Sequence, residues 1–180
     1  CSLKQPVPCV TTCPAHVDIP GYVALVREGR FDDAVDLIRK DNPFPYSCAY
    51  VCEHPCERQC RRRLVDDAVN ICGLKRFAVD HCSRTAPPSS APATGKRVAV
   101  VGGGPSGLTA AYYLCQMGHS VTVFEQREKL GGMLRYGIPD YRLPPEVLDR
   151  DIDYILACGA EVRTGVCIGK DVQVADLQKE

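Results

Sequence analysis

The first 82 residues carry apolar side chains at helical spacing. This periodicity predicts three helices, at Ile19–Glu28, Phe31–Lys40 and Val69–His81. Asp18 is the expected N-cap of the first helix, Gly29 separates it from the second, and Pro43 and Pro45 end the second. Because no stretch in this region has the pattern of a strand, it is expected to form a small all-α domain.

The pattern changes at Arg97, where short β-branched runs begin to alternate with helical patterns. Strands are predicted at Val98–Val101, Val121–Phe124 and Glu161–Thr164, with helices at Ser106–Met117 and Pro145–Ala157. Such alternation is typical of a parallel α/β sheet. The Pro- and Ser-rich stretch between the two patterns cannot build a core. We therefore expect a helical domain at 1–82, a linker at 83–96 and an α/β Rossmann-like domain, incomplete at its C-terminus, at 97–180.

Composition narrows the possible functions. The chain has 180 residues, in which 22 Lys and Arg balance 22 Asp and Glu. Nucleic-acid binding requires a basic surface that displaces counterions from phosphates, so no nucleic-acid partner is expected. No apolar run approaches the ~20 residues that span a bilayer, and no secretory signal opens the sequence. We expect a cytoplasmic location and no membrane insertion.

Cysteine is unusually frequent, and nine of the 12 cysteines lie in the first 82 residues. Such a density indicates disulfides in an exported protein or metal ligands in an intracellular one, and the nucleotide-binding pattern of the second half favours metal. Two groups have regular spacing: Cys1, Cys9 and Cys13, and Cys52, Cys56 and Cys60. Iron–sulfur clusters take thiolate ligands, and a Cys-Pro step ends the ligand run of bacterial ferredoxins. Structural zinc and disulfides remain alternatives, and Cys48, Cys72 and Cys82 fit plain buried thiols.

A glycine-rich turn follows the first predicted strand. Gly102-Gly103-Gly104-Pro105-Ser106-Gly107 fits G-x-G-x-x-G, and Glu125 closes the next strand. Gly102 permits the tight turn, and Gly104 lets backbone N–H groups approach a pyrophosphate. Gly107 allows the helix to pack closely against the strand. Pro105 and Ser106 open the helix that faces the phosphates. Glu125 would accept ribose hydroxyls, which disfavours a 2′-phosphate, but the glycines do not distinguish FAD from NAD.

Taken together, these residues resemble the glutamate synthase small-subunit family of iron–sulfur flavoproteins, whose layout recurs in the N-terminal part of dihydropyrimidine dehydrogenase. The matching stretches are Pro8–Pro14, Asn42–Pro45, Val51–Cys60, Ala68–Phe77, Gly95–Ala111 and Val121–Leu143.

By position, the resemblance implies two ligand sets for [4Fe–4S] clusters: Cys1, Cys9 and Cys60 for one, and Cys13, Cys52 and Cys56 for the other. The resemblance places Lys4 where the first cluster often has its second Cys, and Lys75 where a Gln or Glu binds the second cluster. An ammonium group is only a donor, so neither fourth ligand is assigned. Cys72, three residues before Lys75, is a candidate substitute. One or two clusters are therefore expected.

The resemblance also implies FAD bound by Gly102, Gly104, Gly107, Glu125, Gly131, Gly132 and Leu134, with the Gly137-Ile138-Pro139 loop near the isoalloxazine. In the family, NADPH binds a second Rossmann unit further along the chain, and no second glycine motif follows here. We therefore expect an N-terminal portion of a longer polypeptide, which by itself does not oxidise NAD(P)H.

The function implied is electron transfer. Hydride from NAD(P)H would reduce FAD, and single electrons would leave through the clusters to a redox partner subunit, such as the glutamate synthase large subunit or another oxidoreductase. No side chain is expected to act as a catalytic acid or base. Two other classes stay open: a non-catalytic iron–sulfur adaptor of a larger redox complex, of hydrogenase or formate dehydrogenase type, and a zinc-stapled nucleotide-binding module.

Overall fold

The structure, a computed structural model, describes residues 7–87 and 89–179, and it divides into two compact units. The first unit ends at Arg84 and the second begins at Thr85. Cys1 and Lys4 lie outside the described residues, so the ligand role predicted for Cys1 stays a prediction.

The first unit is helical, and its described residues contain no strand. Its helices are α1 (Pro8–Thr12), α2 (Ile19–Arg27), α3 (Phe31–Arg39), α4 (Pro45–Val51), α5 (Pro55–Arg58) and α6 (Ile71–Asp80), with a 3₁₀ turn at Arg61–Leu64. The predicted all-α character is confirmed, and α2, α3 and α6 match the three predicted helices closely.

Capping side chains explain where two of these helices begin. The Asp18 carboxylate accepts a hydrogen bond from the Gly21 N–H at 3.0 Å, which confirms the predicted N-cap of α2. At the start of α6, the Asn70 side chain accepts from the Gly73 N–H at 2.9 Å. Sequence reasoning was wrong at Pro45, which begins α4 rather than ending a helix. Proline suits the first helical turn because the N–H that it lacks would have no intrahelical partner there.

The core of the first unit lies among α2, α3, α4 and α6. Buried apolar side chains of these helices include Tyr22, Ala34, Val35, Ile38, Ala49, Ile71, Ala78 and Val79. The Tyr22 ring is only 1% exposed, and its hydroxyl donates to the Ile71 carbonyl oxygen at 3.2 Å. This bond joins α2 to the first turn of α6.

The second unit is a parallel three-stranded sheet with helices. Its elements are β1 (Arg97–Val101), α7 (Pro105–Gln116), β2 (Ser120–Glu125), α8 (Met133–Tyr136), α9 (Pro145–Leu156), β3 (Glu161–Thr164) and α10 (Val174–Leu177). The strand order is β1-β2-β3, with Val98 opposite Val121 and Val123 opposite Val162. The predicted Rossmann-like architecture is confirmed, and the carboxyl ends of β1 and β2 meet at one sheet edge.

Residues near the junction of the two units form no regular element where the structure describes them. Ser83 donates to Asp32 on α3 from its backbone N–H at 2.7 Å and from its hydroxyl at 2.9 Å. Within the second unit, the Ala91 N–H donates to the Gln116 carbonyl at 2.8 Å. The stretch predicted as a linker is therefore hydrogen-bonded to a unit at each end. None of the helices in the described ranges is long and apolar enough to cross a membrane.

Candidate functional site

The five described candidate cysteines lie on short segments of the first unit. Cys9 is in α1 and Cys13 is its C-cap; Cys52 is the C-cap of α4, Cys56 is in α5, and Cys60 precedes the 3₁₀ turn. Cys56 is buried and the other four are half-buried. All eleven cysteines of the described ranges carry free thiols.

Electrostatic interactions connect several of these thiols. Burial raises the pKa of the Cys9 thiol, and the charge of Cys60 raises it further. Burial also raises the pKa of Cys56, to about 11, with the charges of Cys52 and Cys13 adding to the effect. Cys9 is therefore within electrostatic range of Cys60, and Cys56 is within range of Cys52 and Cys13. The two ligand sets that the family resemblance implies stay predictions.

Two strained turns accompany these cysteines. Among the described non-glycine residues only His16, at 52°, and His54, at 38°, have positive φ, and each lies within three residues of Cys13 or Cys52. The His54 backbone N–H donates to Cys52 Sγ at 3.3 Å, and its Nδ1 lies 3.1 Å from the Cys52 carbonyl oxygen. Such strain is concentrated at functional sites, and backbone donors to sulfur tune cluster ligands.

Tyr22 is a buried residue that sequence reasoning did not single out. Burial raises the pKa of the Tyr22 hydroxyl, and the charges of Cys56, Cys72, Cys13 and Cys9 raise it further. The only signal in the sequence is that Tyr22 lies on the apolar face of α2.

The donor set of the first unit fits iron–sulfur clusters. Thiolates suit soft, thiophilic iron, and the buried thiolates raise one another's pKa, so they need positive charge to ionise together. Iron would supply that charge. Within the described ranges, no three His, Cys, Asp or Glu side chains converge closely enough to share a single metal ion.

The first glycine loop of the second unit needs glycine for steric reasons. Gly102 has φ 104°, and its N–H donates to the Phe124 carbonyl at 2.8 Å. A Cβ on Gly107 would collide with the Gly102 carbonyl oxygen and approach Val100 Cγ1 to 3.2 Å. Gly104 is the N-cap of α7 and offers no side chain to cap it. The N–H groups of the first turn, which Pro105 and Ser106 open, are therefore available to an anion.

Glu125 is held at the end of β2 by two backbone donors. Its side chain is 7% exposed; Oε2 accepts from the Gly103 N–H at 2.7 Å, and Oε1 accepts from the Arg127 N–H at 2.8 Å. Each carboxylate oxygen can accept a second hydrogen bond, so the group can still take ribose hydroxyls. Its first role is to fix the glycine loop.

The second glycine loop interlocks with the first. The Gly131 N–H donates to the Gly103 carbonyl at 2.8 Å, and a Cβ on Gly132 would lie 2.7 Å from Gly104 Cα. The loop leads into α8, where the half-buried Leu134 donates its N–H to the Gly131 carbonyl at 3.1 Å. The structure thus brings the predicted glycines of both loops together with Glu125, at the carboxyl ends of β1 and β2.

A separate cleft of about 590 Å³ lies elsewhere on this unit. It is lined near the amino ends of the strands by Arg97, Val98, Ser120, Val121 and Glu161, among others. Ligands of open parallel sheets bind outside the carboxyl ends of the strands. We therefore assign the nucleotide site to the glycine loops and not to this cleft.

Comparison with protein families matches both units. Residues 1–86 match the dihydropyrimidine dehydrogenase domain II, 4Fe-4S cluster family, and residues 100–162 match the NAD(P)-binding Rossmann-like domain family. The predictions of a 4Fe–4S domain and of a nucleotide-binding Rossmann-like domain are confirmed.

Curated proteins match over nearly the whole chain. The beta subunit of NADPH-Fe(3+) oxidoreductase from Geobacter sulfurreducens is 45% identical over 98% of the chain. The beta subunit of NADP(+)-dependent formate dehydrogenase from Moorella thermoacetica and the small chain of glutamate synthase [NADPH] from Mycobacterium tuberculosis are each 38% identical over 96%. The chain spans 27%, 28% and 36%, respectively, of the lengths of these relatives.

These relatives are named as subunits of NADPH- or NADP(+)-linked enzymes, and the resemblance to the glutamate synthase small-subunit family is confirmed. The chain joins a region of the dihydropyrimidine dehydrogenase domain II, 4Fe-4S cluster family to a region of the NAD(P)-binding Rossmann-like domain family.

Proposed function

We propose that this chain is the cluster- and flavin-binding part of an oxidoreductase that passes electrons from NAD(P)H through FAD and [4Fe–4S] clusters to a partner subunit. The observation that carries the proposal is a first unit rich in buried and half-buried free thiols, followed in the same chain by interlocked glycine loops beside Glu125. Six candidate thiolates exceed the four ligands of one structural metal ion, and they suit one or two clusters through which single electrons pass.

The clusters would be held by thiolates from segments far apart in sequence. Cys9 and Cys60, with Cys1, would hold one cluster, and Cys13, Cys52 and Cys56 the other. Cys9, Cys13 and Cys56 are within electrostatic range of the Tyr22 hydroxyl, and the strained residues His16 and His54 follow Cys13 and Cys52 in the chain. The backbone donor from His54 to Cys52 Sγ would favour the reduced cluster, because it partly neutralises charge on sulfur.

FAD would bind along the interlocked glycine loops. Gly102, Gly104 and Gly107, with Pro105 and Ser106, would present the first turn of α7 to the pyrophosphate. Glu125 would accept the ribose hydroxyls of the adenosine. Gly131, Gly132 and Leu134 would lie beside the flavin half, since their loop crosses the first at Gly103 and Gly104.

When bound, FAD supplies conversion between two-electron and one-electron transfer, and the clusters supply one-electron steps. The electron donor is proposed to be NADPH or NADH, since the three relatives are named for NADPH or NADP(+). NAD(P)H would be released as NAD(P)+. The two electrons of each hydride would pass one at a time to an acceptor subunit. The chain's own residues bind and orient the cofactors.

The proposal is tested by adding chemically reduced FAD to oxidised protein without oxygen. We expect the cluster absorbance to bleach as electrons leave the flavin, and we expect Gly104→Ala to slow the bleaching. The variant retains the fold, because its Cβ would lie 3.6 Å from Gly132 Cα, but it fills the approach of the pyrophosphate. Bleaching at the same rate in the variant would contradict flavin binding at the glycine loops, and no bleaching would contradict the electron path.

A further inference from the structure

Cys72 lies beside the cysteine segments although it is outside both regular spacings. It is the second residue of α6 and is half-buried. Its Sγ lies 3.8 Å from the Ala49 carbonyl oxygen of α4, the helix that ends at the C-cap Cys52. The thiol therefore faces the segment that presents Cys52.

Glu57 fixes the start of α6 against the helix that carries Cys56. Its Oε1 accepts a hydrogen bond from the Cys72 backbone N–H at 2.7 Å, and Glu57 is the residue after Cys56 in α5. From the opposite side, the Tyr22 hydroxyl donates to the Ile71 carbonyl at 3.2 Å. These two bonds hold the Cys72 backbone in place with respect to both α2 and α5.

Lys75 lies three residues after Cys72 in the same helix, α6. Its ammonium group is on the helix face that also carries Cys72, where a positive charge would balance a thiolate.

We propose that Cys72 is the fourth thiolate ligand of the cluster held by Cys13, Cys52 and Cys56, in place of the residue at position 75. Residues three apart on a helix share a face, so positions 72 and 75 lie on the same side of α6. They differ by only about 4.5 Å along the helix axis. In this arrangement the ligand lies about one turn earlier in α6 than position 75. The Lys75 ammonium group supplies a positive charge that balances the added thiolate. This inference rests on the proposed function, since it assumes a cluster at these cysteines.

The test compares Cys72→Ala with Cys82→Ala in protein purified without oxygen. Cys82 is another buried thiol of the first unit, and its Sγ lies 3.9 Å from the Arg84 carbonyl oxygen. We expect Cys72→Ala to lose one or more irons from one cluster, with a changed EPR spectrum after reduction, whereas Cys82→Ala matches the wild type. Unchanged iron, sulfide and EPR in Cys72→Ala would overturn the proposal.

A second variant separates ligation from a purely structural role. Cys72→Ala combined with Lys75→Gln restores an oxygen donor at the position the family uses, so it should recover iron that Cys72→Ala alone loses. A merely packing role of the Cys72 thiol would not be rescued by a change at position 75. Loss of iron in Cys72→Ala with no recovery in the double variant would count against ligation.

A third measurement needs no variant. In wild-type protein, iodoacetamide should spare Cys72 as it spares Cys56, and removal of iron by a chelator should make both reactive. Alkylation of Cys72 while the cluster absorbance is unchanged would overturn the proposal. Wild-type protein without iron and sulfide would instead overturn the proposed function, so the two failures are distinguishable.

Discussion

The candidate site of the first unit consists of side chains, whereas that of the second unit consists mostly of backbone groups. In the first unit the chemistry lies in side chains, and the segments that carry them have little apolar burial: α1 has no buried residue, and α5 has only Cys56. In the second unit the site consists mostly of backbone groups. This unit has an apolar core of Val100, Ala111, Cys115, Val121 and Val123. The first site would depend on its cofactor for structure, whereas the second is formed by the fold.

The largest expected effect of this difference follows removal of iron. Chelation should raise the amide hydrogen exchange rate by about 100-fold or more in the segments around Cys9 and Cys56. These segments bury little apolar surface, so the free energy of cluster binding would provide most of their stability. Exchange in β1, β2 and α7 should change little. The measurement is hydrogen exchange followed by mass spectrometry, before and after chelation. Equal loss of protection in both units would contradict the comparison.

Serine substitutions divide the first unit further. Cys9→Ser and Cys56→Ser should each lose one cluster and keep the other, because the proposal assigns the two thiols to different clusters. The double variant should lose both. Iron, sulfide and the EPR spectrum of the reduced protein report the outcome for each variant. Complete loss of iron from both single variants would mean one shared cluster, or a domain that does not fold with either cluster missing.

Two glycine variants test whether the second site is formed by the fold itself. Gly107→Ala should destabilise the second unit by about 1–3 kcal/mol, because its Cβ meets the rigid Gly102 carbonyl. Gly104→Ala should change stability by less than about 0.5 kcal/mol and yet weaken FAD binding. Urea unfolding gives the first quantity and FAD titration the second. Equal stability of the two variants would contradict the steric account of the loop.

The smallest expected effect concerns the junction of the units. Asp32→Ala removes the acceptor of the Ser83 N–H and hydroxyl and of the Arg84 N–H, at 2.7, 2.9 and 3.1 Å. Trypsin should therefore cleave after Arg84 several times faster than in the wild type. Asp33→Ala is the matched control, because its carboxylate contacts only the Arg84 side chain in this segment, at 3.4 Å. Equal acceleration by both variants would argue against anchoring by Asp32.

Sequence reasoning recovered the elements with a long or regular pattern. The helices α2, α3 and α6 have clear apolar faces, and β1 to β3 lie in a contiguous βαβ arrangement. It missed α1, α4 and α5, which are four to seven residues long and begin with proline. Helices this short have too few turns to show periodicity. Proline occurs both at the first turn of a helix and after its end, so Pro45 was wrongly predicted to end a helix.

The candidate sites show the same limit. Gly102 to Glu125 could be assigned from sequence because the site is local to one βαβ unit. Spacing groups Cys9 with Cys13, and electrostatic interactions also connect Cys9 to Cys60 and Cys13 to Cys56 across distant segments. Such interactions leave no periodic signal in the sequence, and the ligand sets implied by the family resemblance stay predictions. The interlocking of Gly131 and Gly132 with the first loop likewise depends on tertiary contact.

The most direct test of the central claim is metal and sulfide analysis of protein purified without oxygen. The account predicts brown protein with iron and acid-labile sulfide in nearly equal amounts, and an absorbance that dithionite bleaches as an EPR signal of reduced clusters develops. Colourless protein that contains stoichiometric zinc and no sulfide would contradict it.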